Sequence, residues 1–276
     1  MSLRINTNVN ARFTHFQLQR QDMSLEKVIR QLSTGLRINR ASDDVAGLGM
    51  SERMRAQIRG YDQASANTQD GVNLLGTAEG ALNETHAILQ RMRELTVQAA
   101  SDTLTISDRT AVKQELDQLS TEITRIGDKT EFNTHKLLDG GSFAALFTLQ
   151  VGSNAGDIAT IGLSDMRAAA IGVGTTQLSV DNAANASAAL VALDSAIEAV
   201  NDQRSYLGAK MNMFERRIAV LNVQSENAQK SESRIRDVDF AKAASQLTRH
   251  QMLQQAAVAM MAQANQQPSS VLGLLR

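Results

Sequence analysis

The sequence predicts a mainly α-helical protein: an elongated coiled-coil bundle of long helices with one β-hairpin, its N- and C-terminal helices paired. Three observations lead there. Apolar residues recur in 3-4 steps over long stretches, and one short segment alternates with period two. Aromatic residues make up only 3% of the 276, with no Trp, and a single Pro stands against 11 Met. A compact core uses aromatic bulk, so their scarcity favours long helices packed through Ala, Leu, Ile, Val and Met.

The first stripe, Phe13, Phe16, Leu18, Leu25, Val28, Ile29 and Leu32, predicts a helix that stops at Gly35, a residue type that tolerates the left-handed conformation at a helix end. A polar stretch follows, containing Arg37, Asn39, Arg40, Ser42, Asp43 and Asp44. Two neighbouring carboxylates raise the question of acid–base chemistry. Adjacent residues at a helix start point about 100° apart, so Asp43 and Asp44 do not converge on one reacting atom. The expected arrangement is a joint in which Ser42 or Asp43 caps a helix beginning near Asp44.

That helix is predicted over 45–99, where Met54, Ile58, Tyr61, Val72, Leu75, Leu82 and Leu89 hold one 3-4 register. Gly60, Gly71, Gly76 and Gly80 weaken it and let a neighbouring backbone approach. Ser101–Asp108 is a turn, with Ser107 the expected cap of a helix bearing Val112, Leu116, Leu119, Ile123 and Ile126. Phe147–Val151 alternates, Gly152–Asp157 supplies turn residues, and Ala159, Ile161 and Leu163 alternate again, predicting a hairpin near 145–165. Residues 166–187, small and Gly/Ala-rich, predict a loop or hairpin tip.

The most regular seam is Leu190, Leu193, Ile197, Val200, Arg204, Leu207, Met211, Phe214, Ile218, Leu221, Ser225 and Ala228. A helix that long needs a partner along its whole length. The last stripe, Phe240, Ala243, Leu247, Leu253, Ala257, Met260 and Ala264, is expected to stop before Pro268. Isolated amphipathic helices are marginal in water, so the two terminal helices must find partners.

Residues 1–40 sum to +5 and 236–276 to +2, leaving −8 between them. Basic ends and an acidic middle set the termini apart together. The cations are spread singly, without aromatic stacking partners, which argues against nucleic acid. No Cys is present, which excludes disulfides and thiolate chemistry. His15, His86, His135 and His250 lack metal-ligand spacing, and no phosphate loop or nucleophile elbow occurs, so neither a cofactor nor an enzyme is expected. No apolar stretch suggests a cleaved signal peptide or a membrane insertion. The amphipathic tail 252–262 has Gln rather than Lys or Arg opposite its apolar face, favouring partner helices over lipid.

Several separate stretches resemble bacterial flagellins: Ile5–Asn8, Leu32–Asn39, Ser42–Asp44, Gly80–Glu84, Gln90–Gln98, Phe132–Asn133, Gln150–Gly152, Ser233–Asp239 and Ala262–Arg276. The resemblance implies an inner domain of about 1–41 with 236–276, lining a central channel and driving polymerisation through Phe13, Phe16, Leu25, Val28, Leu32, Phe240, Leu247, Leu253 and Met260. It implies an outer domain of 42–235, with the link 166–187 in place of the variable domains of larger flagellins. Gly35, Arg37, Asn39, Ser42, Asp43 and Asp44 would form the spoke between them. It further implies an extracellular filament for swimming, export by the flagellar type III route, and dealings with the flagellar cap, hook-junction proteins and an export chaperone. Gln90, Arg91, Leu95, Gln98 and Glu115 match the segment that serves as a subunit contact and that an animal Toll-like receptor recognises. A hook–filament junction protein would share the terminal helices and the Asp-Asp joint; the ending 262–276 argues against it.

Overall fold

The computed structural model describes residues 7–273, so the motif residues Ile5, Asn6, Leu274, Leu275 and Arg276 lie outside the described residues. In chain order these contain α1 (Val9–Thr34), α2 (Val45–Ala99), α3 (Ile106–Lys129), β1 (Glu131–Phe132), β2 (His135–Lys136), α4 (Ser142–Ala145), β3 (Phe147–Gln150), β4 (Ile158–Ile161), α5 (Ala183–Arg236) and α6 (Phe240–Gly273). The mainly helical class with its hairpin holds. The chain forms two compact units: Gln57–Glu226, and the described residues up to Ala56 with those from Asn227 onward.

The Gln57–Glu226 unit is built on the seam of α2. Ala64, Thr68, Gly71, Leu75, Ala78, Leu82, Thr85, Leu89, Met92, Thr96 and Ala99 are all buried and follow unbroken 3-4 steps. Threonines sit in this dry seam because their hydroxyls donate to carbonyls one turn back, Ala64 (2.6 Å), Ala81 (3.1 Å) and Met92 (2.8 Å). Helix α5 runs antiparallel beside α2, as paired bonds along both helices show. Asp62 accepts from Ser225 (2.7 Å), Glu79 from Arg204 (2.9 Å) and Asp194 from Arg93 (2.7 Å).

Half of the expected seam of α5 holds, Leu193, Val200, Leu207, Phe214, Leu221 and Ser225 being buried, and the other half is displaced by one residue. Ala186, Leu193, Val200, Leu207, Phe214 and Leu221 are buried at every seventh position, with Ala189, Ala196 and Gln203 between them. The expected Leu190, Ile197, Arg204 and Met211 are half-buried at its edge. Small Ala side chains let the helices close along the 189/196 row, which turns the larger Leu and Ile outward. Helix α5 also holds an 18-residue window of mean hydropathy 1.3, 28% of it buried, so by length and composition it could cross a membrane. This contrasts with the expectation that no window comes close. The segment is rich in Ala rather than large apolar side chains, and its heptad residues are packed into the core.

Helix α3 buries Val112, Leu116 and Ile123 against this pair. Its cap is Thr105 rather than Ser107. The Thr105 hydroxyl accepts from the Asp108 N–H (3.3 Å) while the Asp108 carboxylate accepts from the Thr105 N–H (3.0 Å), a reciprocal box that Ser107 cannot make because it lies inside the helix. The β3–β4 hairpin pairs antiparallel from Phe147↔Ile161 to Gln150↔Ile158. A shorter ladder, β1–β2, accompanies it, turning through Asn133 and Thr134 at φ 48° and 67°. A Cβ on Gly71 would meet Leu149 Cδ2 at 2.6 Å, and one on Gly60 would meet Ser153 Cβ at 2.8 Å, so these two glycines admit the hairpin. Gly76 and Gly80 face open space.

Residues 162–182 form no regular element, but they are not a free tip. Leu163, Met166, Ala168, Val173, Leu178 and Val180 are buried, and the Val173 carbonyl accepts from buried Ser120 (2.8 Å). The 183–187 end of the stretch is already the first turn of α5.

In the other unit α1 and α6 pair antiparallel. The Asn8 amide donates to the Ala264 carbonyl (2.7 Å), Gln21 meets His250 (2.9 Å) and Gln254 donates to Asp22 (2.8 Å). Helix α6 does not stop before Pro268 but continues to Gly273. Proline has no N–H for the carbonyl four residues back, which is that of Ala264. Asn8 fills this vacancy across the pair and, with its Oδ1, caps α1 at the Ala11 N–H (3.0 Å).

Candidate functional site

The joint between α1 and α2 is held by backbone geometry first. Gly35 takes φ 72°, ending α1 with its N–H on Gln31 (2.9 Å). The chain then lies against the α5–α6 connection. Leu36 pairs with Asp237, the Arg37 N–H donates to Arg236 (2.6 Å), and the Val238 N–H donates to Gly35 (3.0 Å). The Arg37 guanidinium donates to the Ile235 carbonyl at the end of α5 (3.0 Å), where the helix dipole favours a cation. Asn39 folds back onto the Leu36 carbonyl (2.8 Å), and Ile38 is fully buried beneath.

The two carboxylates divide the work. Asp44, not Ser42 or Asp43, caps α2, accepting from the Gly47 N–H (2.8 Å) while its carbonyl accepts from Leu48 (3.0 Å). Asp43 points backwards. Its Oδ2 accepts from the N–H groups of Asn39 (3.2 Å) and Arg40 (3.1 Å), and its Oδ1 pairs with Lys27 of α1 (3.1 Å). Burial raises the Asp43 pKa, but the Lys27 hydrogen bond, the Arg40 and Asn39 N–H groups and the Lys27 charge outweigh it, holding the carboxyl below its ordinary value. Ser42 is exposed and does no capping. Nearby, Glu52 accepts from Arg236 (2.6 Å) and Arg55 (3.3 Å), tying the start of α2 to the end of α5. Asp43 and Asp44 hold backbone and a neighbouring helix, and each has its own set of partners rather than a shared one.

The apolar stripes of α1 and α6 are mostly uncovered. Val28 is buried and Leu25, Leu32 and Leu247 half-buried, whereas Phe13 (61%), Phe16 (51%), Phe240 (59%), Leu253 (40%) and Met260 (60%) are exposed. Two helices touching along one line cannot cover both flanks of each stripe. Exposed apolar rows of this size mark surfaces that other chains cover.

The segment 90–98 lies on α2 of the other unit. Arg91 pairs with Glu115 of α3 (3.0 Å) and with Glu94 (3.3 Å), and Gln90 meets His86 (2.8 Å). Gln90, Arg91, Gln98 and Glu115 form an exposed polar row, whereas Leu95 points into the core. Sequence reasoning passed over two buried polar residues of this unit. Arg109 is buried and donates to the Ser101 (2.9 Å) and Ala99 carbonyls, closing the C-terminal end of α2. Gln203 sits in the α5 seam. A cation four residues past a helix-ending turn was the available signal for Arg109.

Comparison with known proteins agrees along the chain. Residues 5–142 match the bacterial flagellin N-terminal helical region, and residues 190–275 match the bacterial flagellin C-terminal helical region. A flagellin of Halalkalibacterium halodurans is 49% identical over 99% of both chains, and one of Bacillus subtilis is 44% identical over 99% of this chain and all of its own. The crystal structure of Bacillus cereus flagellin is similar with a TM-score of 0.50 at 31% identity, over 56% of this chain and 88% of that one.

Proposed function

The chain belongs to the bacterial flagellin family, a structural subunit of the extracellular flagellar filament and not an enzyme, and we propose that its α1–α6 pair is the part that drives assembly. The subunit polymerises with copies of itself. The observation that carries the assignment is the exposure of Phe13, Phe16, Phe240 and Met260 on a helix pair too thin to cover them. Neighbouring copies supply the missing apolar contacts. On this reading residues 1–41 with 236–276 are the inner, channel-lining domain, and 42–235 the outer one. The Gln-rich side of α6, uncharged and wet, faces the channel, where it does not trap a chain passing through the type III route. The cap, the hook-junction proteins and an export chaperone engage the same stripes, each covering them at a different stage.

Heat-dissociated subunits, cooled and seeded, give filaments by electron microscopy; persistent monomers overturn this reading. Phe13→Ser with Phe16→Ser abolishes seeding while leaving the helical content of the Gln57–Glu226 unit intact.

Receptor recognition is a second reading, favoured by the exposed row Gln90, Arg91, Gln98 and Glu115. Leu95, being buried, would act by holding that row rather than by touching a partner. Arg91→Ala lowers Toll-like receptor signalling by monomers; unchanged signalling, with motility lost, removes the receptor half. The junction-protein alternative predicts chains that cap a seed without elongating it.

A further inference from the structure

Within the Gln57–Glu226 unit two exposed patches have complementary character, and we propose that they bind each other between successive copies: the turn 101–106 of one copy seats in the groove between the β3–β4 hairpin and α5 of the next. The inference rests on the chain being a filament subunit and names one further contact between copies.

The groove encloses about 660 Å³ and is lined by Ile158, Lys210, Met213, Arg216, Arg217 and Val220 among others. Ile158, Met213 and Val220 are exposed in it. Lys210 is fixed on the Thr160 carbonyl (3.3 Å) and Arg217 on that of Val151 (2.9 Å), so two positive charges are held at the rim. Arg216 is exposed and makes no ion pair among the described residues. The one carboxylate lining the groove, Asp157, already accepts from the Asn154 N–H (3.3 Å). A cationic, apolar-floored groove on a unit whose charge is otherwise mainly negative selects an acidic knob with an apolar tip.

The turn after α2 is such a knob. Ile106 is 81% exposed and the Asp102 side chain 93%, with Asp108 exposed beside them. The nearest cation, Arg109, lies 3.7 Å from Asp102 but is committed to the Ser101 and Ala99 carbonyls. Together with the Thr105–Asp108 capping box this holds the turn in one shape, so little ordering cost remains on docking.

Placement supports a head-to-tail arrangement. The hairpin is anchored beside residue 67 of α2, where the Asn67 amide donates to the Gln150 carbonyl (3.3 Å), while the knob follows Ala99. The two patches are therefore separated by roughly 50 Å along the helix at 1.5 Å per residue. Because knob and groove do not overlap, each copy keeps one of each free, and such heterologous contacts extend into an open helix where the rotation between copies does not close a ring.

The chain contains no Cys, so Asp102→Cys with Arg216→Cys places the only thiols at the contact. Filaments of the double variant, oxidised and run without reductant, give a ladder of multimers, and filaments of either single variant give none. Filaments that form without a ladder overturn the contact alone, whereas wild-type chains that do not polymerise when seeded overturn the filament reading itself. If the cysteine variants do not assemble, charge reversal decides: Asp102→Arg or Arg216→Asp raises the critical concentration about tenfold or more, and the two together restore it. No recovery in the pair overturns the proposal.

Discussion

At the joint, Asp43 satisfies two N–H groups and a lysine at once. Asp43→Ala leaves those donors without their acceptor and costs about 1–2 kcal/mol, measured as a lower melting transition of the α1–α6 unit. The same carboxyl gives that unit a pH dependence with a definite sign. Its folded-state pKa lies below the unfolded one, so its stabilisation is fully present above the ordinary Asp pKa of about 4. It is lost as pH falls through the depressed value. Acid therefore loosens the joint, and Asp43→Asn removes that part of the acid response. The cap itself was not legible. Ser42, Asp43 and Asp44 are all good cap residues in a row, as Thr105, Ser107 and Asp108 nearly are. What selects among them is where the preceding chain comes from, and Lys27 and buried Ile38, distant in the local pattern, decide that at the joint.

Helix α2 shows how far a repeated signal can be read. Its 3-4 pattern recurs over so many turns that single exceptions do not hide it, but its glycines do not all serve the same purpose. Gly71→Ala drives a methyl into Leu149 and Phe214 and costs about 1–3 kcal/mol, whereas Gly80→Ala meets nothing and stabilises by about 0.5–1 kcal/mol. Chemical denaturation of the two variants, compared at constant m-value, separates them. The β1–β2 ladder escaped because two residues per strand are too few to show alternation. The second row of the α5 seam escaped because Ala189 and Ala196 win the interface by being small, which a count of large apolar residues overlooks. The polar stretch reads in the sequence as a joint rather than a site, and its carboxylates do hold backbone and a neighbouring helix, with the cap moved to Asp44. The exposure of Phe13 and Phe240 could not be foreseen, since a stripe alone does not say whose side chains cover it.

Across the whole chain, the stable core and the helix pair that drives assembly are different parts. A chain shortened to residues 41–239 retains the seams of α2, α3 and α5 and melts cooperatively, while it neither seeds nor elongates filaments; calorimetry and electron microscopy check the two halves of that statement. Full-length monomers show an additional, weaker transition belonging to α1 and α6, which polymerisation raises by mass action. A further test lies in Asn8 and Pro268. Asn8→Ala destabilises the α1–α6 pair by about 1–2 kcal/mol. Pro268→Ala in that background recovers part of it, because an alanine N–H reaches the Ala264 carbonyl that Asn8 otherwise serves.

The bond from Asn8 to Ala264 joins residues 256 apart in sequence, and closing a loop of that length costs on the order of 5 kcal/mol beyond a constant term. Every other contact of α1 with α6 shares that single closure, so they form together and late, after the intervening chain has settled. Folding order thus follows from topology: α1 precedes the whole of the Gln57–Glu226 unit in sequence yet is among the last elements to find its place. A chain cut before residue 264 leaves Asn8 without the carbonyl it serves, whatever else of the pair has formed.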